Sequence, residues 1–130
     1  MATQLKVKIL ENVYETNYPT VGQCIDIKRL EMTLSGNKMA ALISSDFLED
    51  SEIALDIKGV AVMSILFPQL KKDLKTNSLL DLRYDDWTEI LGVFSKEVFP
   101  WFTEWRNTFR KFDVEKELDN VEDNNTGAEG

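Results

Sequence analysis

The chain has 130 residues, 43% of them hydrophobic, and a formal net charge of −8, which is enough apolar content for the core of one domain. The charge is segregated: residues 113–130 carry seven acids against Lys116 alone, a net −6, whereas residues 1–112 carry 16 acids and 14 bases. A shortage of cations argues against nucleic-acid binding. A single cysteine excludes an intrachain disulfide or a cysteine-based metal cluster, and the lack of histidine removes the commonest general base and metal ligand.

Leu5, Val7 and Ile9 alternate with Lys6 and Lys8, the period of two that marks a half-buried strand; Val13 extends it, and Asn17-Tyr18-Pro19 turns the chain. Thr20 to Gln23 has the spacing of a capping box. The β-branched Ile25 and Ile27, with Gly22, shift the preferred reading to a short strand over residues 23–27 feeding a helix over residues 28–34. Gly36 stops that helix, being free to take positive φ. Residues 39–43 form a compact apolar segment, helical or extended.

Asp50 and Ser51 are the expected caps of the next helix, in which Ile53, Ile57, Val60, Ala61 and Ile65 recur at helical spacing. Val62, Met63 and Leu66 fill a second face, so this helix is expected at the centre of a bundle. Pro68 ends it or opens a short helix with Leu70 and Leu74 inward and Lys71, Lys72 and Lys75 solvated. Asp86, with Glu89 three residues on, is read as the start of the last helix, where the dipole favours negative charge.

That helix holds the main signal. Trp87, Ile90, Leu91, Phe94, Val98, Trp101, Phe102, Trp105, Phe109 and Phe112 follow one another in steps of three and four, and all three tryptophans and five of the seven phenylalanines lie between 87 and 112. Pro100 removes an amide donor and clashes with the carbonyl of Lys96, so a kink or a restart is expected there. The stripe keeps its phase across the proline, which favours a kinked continuous wall.

The fold class expected is α+β, mostly α: short N-terminal strands followed by a small helical bundle with a Pro-kinked C-terminal aromatic helix. Residues 1–112 make the single domain. Residues 113–130, where apolar residues thin out to Val114, Leu118 and Val121, make an acidic, largely disordered tail.

Chemistry is hard to place on this chain. The clusters Asp81, Asp85, Asp86, Glu89 and Asp46, Glu49, Asp50, Glu52 match no metal loop and read as helix caps and solvated faces. The Asp81–Glu89 group is the basis of a third reading, a small metal-dependent hydrolase. Cys24 beside Ile25 reads as a small hydrophobe. No catalytic, cofactor-binding or metal residues are expected, no cofactor, and no enzyme. The first half of the stripe reads as core. Its second half, Trp101, Phe102, Trp105, Arg106, Phe109 and Phe112, combines residue types enriched at interface hot spots and reads as a partner interface. The acidic tail opposes docking on anionic lipid.

Asn17-Tyr18-Pro19-Thr20-Val21-Gly22-Gln23-Cys24-Ile25-Asp26-Ile27, running into Leu34-Ser35-Gly36, together with Val98-Phe99-Pro100-Trp101-Phe102 and Trp105, resembles small proteins of tailed bacteriophages encoded among virion and tail-assembly genes. The resemblance spans residues 17–36 and 86–106. It implies a non-enzymatic structural or assembly protein that oligomerises or docks to other virion subunits through the aromatic helical face, or, alternatively, a transient tail-assembly chaperone or adaptor. The implied setting is the virion or the host cytoplasm during assembly. With no signal peptide and no apolar run of 18 residues, a soluble protein that is not secreted is expected.

Overall fold

The computed structural model describes residues 4–109. The fold is mostly helical, with an N-terminal two-stranded antiparallel sheet followed by helices, the last of which carries an aromatic cluster. Strand β1 (Gln4–Ile9) is the expected one, with Val7 and Ile9 buried. It does not extend to Val13. The chain reverses at Leu10-Glu11 into strand β2 (Asn12–Asn17), which pairs Val7 with Tyr14 and Ile9 with Asn12. Leu10 holds φ of 51° in this turn, a conformation that costs a side chain dearly. Its side chain packs against the core, which offsets a strain that glycine would avoid but could not use.

The expected strand over residues 23–27 is instead part of helix α1 (Val21–Ser35). The reason lies at its ends. The Thr20 hydroxyl accepts a hydrogen bond from the Gln23 amide at 3.1 Å, and the Gln23 side chain accepts one from the Thr20 amide at 2.9 Å. Gly36 closes the helix in the left-handed conformation, φ 61°. Two satisfied N-terminal donors and a strain-free stop outweigh the few tenths of a kcal/mol by which isoleucine disfavours a helix.

Helix α2 (Met39–Ser44) is short and buries no residue fully; α3 (Leu48–Leu66) is the central element, with Ala54, Ile57, Gly59, Val60, Ala61, Val62, Met63 and Leu66 buried around its circumference. Neither Asp50 nor Ser51 caps it. The helix begins earlier, at Leu48, because the Ser45 hydroxyl accepts from the Phe47 amide at 3.1 Å and donates to Asp50 at 2.7 Å. Pro68 opens α4 (Gln69–Asp73), with Leu70 fully buried. A 3-10 turn (Leu79–Asp81) leads to α5 (Tyr84–Val93). Asp86 is likewise not a cap: the helix starts at Tyr84, and Asp85 and Asp86 lie in its first turn, where the dipole still favours them.

The chain then passes through a π-helical turn (Phe94–Val98) into α6 (Phe99–Phe109). The Phe99 amide reaches back to the Phe94 carbonyl, and this wider turn immediately before Pro100 accommodates the proline while the helical path continues. The stripe survives, with Trp87, Ile90, Phe94, Val98 and Trp101 all buried. The domain limit at residue 112 and the acidic tail, residues 113–130, fall outside the described residues.

The Trp87 indole fills the space over α3. A Cβ placed on Gly59 would lie 3.2 Å from two carbons of its six-membered ring, and the indole N–H donates to Asp56 at 3.0 Å. The ring is therefore anchored and cannot retreat. Gly59→Ala is expected to destabilise the native protein despite the gain of up to about 1 kcal/mol in helix propensity. Leu91 Cδ1 would lie nearer still, at 3.1 Å, so in a Trp87→Phe background, which shortens the crowding ring system, the same change should cost less without becoming free. A denaturant double-mutant cycle measures the coupling; equal effects in both backgrounds would show that this contact does not decide the site.

Tyr14 joins the sheet to the bundle. Its ring meets Phe67 edge-on at 6.4 Å and its hydroxyl donates to Asp73 at 2.7 Å. Burial first, then the bond to and charge of Asp73, raise its phenol above the ordinary 10.0, against a smaller opposing bond with Asn12. A raised folded-state pKa favours the neutral form, so this stabilisation is complete below about pH 10 and is lost as pH climbs toward the folded value. Tyr14→Phe should cost about 1 kcal/mol at neutral pH and remove the loss of stability that begins above about pH 10, read from melting temperature against pH.

Candidate docking groove

The capping box that sets the phase of α1 puts Cys24, Ile27, Lys28 and Glu31 on one helical face, at i, i+3, i+4 and i+7. On α6, Phe102, Trp105 and Arg106 share a face by the same spacing. With Lys58 from α3, these eight side chains line a groove of about 270 Å³. Ile27 is buried at its base, Phe102 and Trp105 are half-buried walls, and Lys28 and Arg106 stand exposed at the rim. Lys58 is tied in by Glu31 at 4.0 Å and lies 5.8 Å from the centre of the Phe99 ring.

The aromatic wall is a connected stack. Tyr18, just before α1, lies nearly parallel to Trp101 at 5.5 Å and tilted against Trp105 at 6.1 Å; Phe102 and Trp105 meet at 5.5 Å. Such pairs add rigidity beyond the area they bury. Of the expected interface residues, Trp101 turns inward and is 7% exposed, so it supports the wall from behind. Phe102, Trp105 and Arg106 face the groove. Phe109 ends α6, and its side chain, like Phe112, lies outside the described residues.

Sequence reading alone missed the opposite wall. A strand over residues 23–27 would have put Cys24 and Ile27 on different faces; the capping box was the signal that joined them. Burial pushes the Cys24 thiol up from its ordinary value, opposed by the weaker pull of Lys28 and Arg106 toward thiolate. At neutral pH the groove thus holds a neutral thiol among three cations and one carboxylate.

The carboxylate clusters do not assemble. Asp85 pairs with Arg83 at 3.1 Å, Asp50 takes the Ser45 hydroxyl, and among the described residues no group of three or more Asp, Glu or Cys side chains is placed to hold a metal ion. No buried side-chain polar atom among those residues lacks a hydrogen-bond partner, and no helix among them is long and apolar enough to cross a membrane. A shallower depression between the hairpin and α5, lined by Lys8, Glu11, Glu89, Lys96 and Glu97 among others, carries mixed charge. A separate apolar surface, with Ile43, Phe47 and Leu48 all exposed, marks the corner between α2 and α3. The chain matches no family model, no curated protein and no solved structure.

The two tryptophans of α6 divide by role. Trp101→Ala should cost about 3–5 kcal/mol, the range for a buried aromatic, whereas Trp105→Ala should cost much less because one side of that ring faces the groove. Chemical denaturation of the two variants reads this directly. Equal losses would make the groove wall part of the core.

Proposed function

We propose that this protein is a non-enzymatic interaction protein, of the structural or assembly kind that the tailed-phage resemblance implies, and that it docks partners through the groove between α1 and α6. The observation that carries this reading is the groove itself: an apolar base and aromatic walls under a basic rim. At about 270 Å³ it lies just below the roughly 300–1,000 Å³ of small-molecule pockets, a size suited to side chains of a docking segment. Trp and Arg at its edge are the residue types on which interface energy concentrates. The acidic sequence after α6 favours the variant reading of a transient chaperone or adaptor, since added carboxylates keep an apolar docking protein soluble.

A photo-crosslinking residue in place of Trp105, compared with one in place of the exposed Thr88 on α5, tests the surface in the native host. A discrete adduct of one mass from position 105 and none from position 88 is expected. A protein that stays monomeric by light scattering at high concentration and yields no adduct from position 105 would remove the docking reading. Retention of the protein in purified particles distinguishes a structural subunit from a transient one.

A further inference from the structure

The groove between α1 and α6 has a charge pattern as well as a shape. Lys28, Lys58 and Arg106 line it against the single carboxylate of Glu31, on a chain whose formal net charge is −8. Glu31 is engaged by Lys58 at 4.0 Å, with both side chains partly buried, so it is not available to the other two cations. Among the described residues neither Lys28 nor Arg106 forms an ion pair. Both draw the Cys24 thiol toward thiolate, so both charges are felt inside the groove.

The two walls repeat one arrangement. On α1 the buried Ile27 is followed by the exposed Lys28, and on α6 the half-buried Trp105 is followed by the exposed Arg106. Each wall sets a cation at the rim beside an apolar surface lower down. A ligand that matches both walls carries a bulky apolar group for Ile27, Phe102 and Trp105 and negative charge to either side of it. The shape discriminates among anionic macromolecules. A bilayer takes up projecting rings, whereas Phe102 and Trp105 are walls of a recess. Two unpaired cations neutralise too few phosphates to hold a nucleic acid. A protein side chain enters such a recess, and carboxylates on the same segment reach its rim.

We propose that the groove between α1 and α6 is the docking site for an acidic amphipathic segment of a partner protein, whose leucine or aromatic side chain sits on Ile27, Phe102 and Trp105 while flanking carboxylates meet Lys28 and Arg106. The inference rests on the reading of this groove as a docking surface and adds the chemistry of its partner. The Arg106 guanidinium can hold one carboxylate with two parallel N–H donors, and Lys28 acts as a point charge at the opposite rim. The apolar group supplies affinity, and the rim charges set the rate of encounter and the choice of partner.

Selection of a randomised short-peptide library on the full-length protein tests this chemistry. The enriched peptides are expected to combine a leucine or an aromatic residue with net negative charge. Added to isotopically labelled protein, they should shift the Trp105 indole and Ile27 methyl resonances. Lys28→Glu with Arg106→Glu should weaken the tightest of them by about ten-fold or more and reverse the sign of the salt dependence, because rim charges act through screened electrostatics. Both side chains are exposed, so the circular dichroism of the double variant should match that of the parent. Lys28→Gln with Arg106→Gln, which removes the charges without reversing them, should give a smaller loss in the same direction.

Enrichment of neutral or basic peptides overturns the proposal, as do acidic peptides whose affinity survives both double variants. If such peptides still shift the Trp105 indole and are lost on Trp105→Ala, the groove stands as a docking site and only the acidic partner is removed. No enrichment overturns the proposal too; a persisting partner adduct from position 105 would then keep the docking reading, and no adduct would remove both. Binding of mixed phosphatidylglycerol and phosphatidylcholine vesicles that the charge reversal abolishes, with no enriched peptide, overturns it in favour of a lipid surface.

Discussion

The architecture depends on how Trp87 lies over α3. A helix buried on every side from Gly59 to Met63 needs neighbours all round, and the bulkiest of them is this indole. Glycine at 59 makes room for it: a Cβ there would meet the ring at 3.2 Å and Leu91 at 3.1 Å, both tighter than ordinary contact. Its one polar atom is satisfied from the same helix by Asp56, three residues earlier. Position and orientation are thereby both fixed, and a ring held at two points transmits its placement to the helix that bears it. Through α5, the π turn and α6 form one helical path, so the setting of Trp87 determines where Trp101 meets Tyr18 and where Phe102 and Trp105 face α1.

The π turn is the second constraint on that path. Pro100 alone would interrupt an α-helix by removing a donor and crowding a carbonyl one turn back. Widening the preceding turn relieves the crowding without ending the helix, and π turns are often found where a protein needs such a local change of phase. Here the first and last residues of the turn, Phe94 and Val98, are both fully buried. The wider turn thus serves packing while it accommodates the proline, and the aromatic stripe arrives at α6 still facing the body of the protein.

What could be read from the sequence follows from the range of the forces involved. The first strand, the central helix and the aromatic stripe are written in periodicities of two and of three to four, which need no tertiary knowledge. The second strand leaves no such mark, because only Tyr14 along it is buried, too little for an alternation to show. In α1 the β-branched residues point to a strand, but the capping box and the C-terminal glycine prevail because they act on backbone groups that must be satisfied. The caps of α3 and α5, Phe47 and Arg83, lie three or four residues before Asp50, Ser51 and Asp86, because Ser45 and the Arg83 backbone, not the carboxylates, begin these helices. Half of the groove was legible, the half on α6. The other half depended on the phase of α1, and an error in element type there hid Cys24, Ile27, Lys28 and Glu31 from view as a unit.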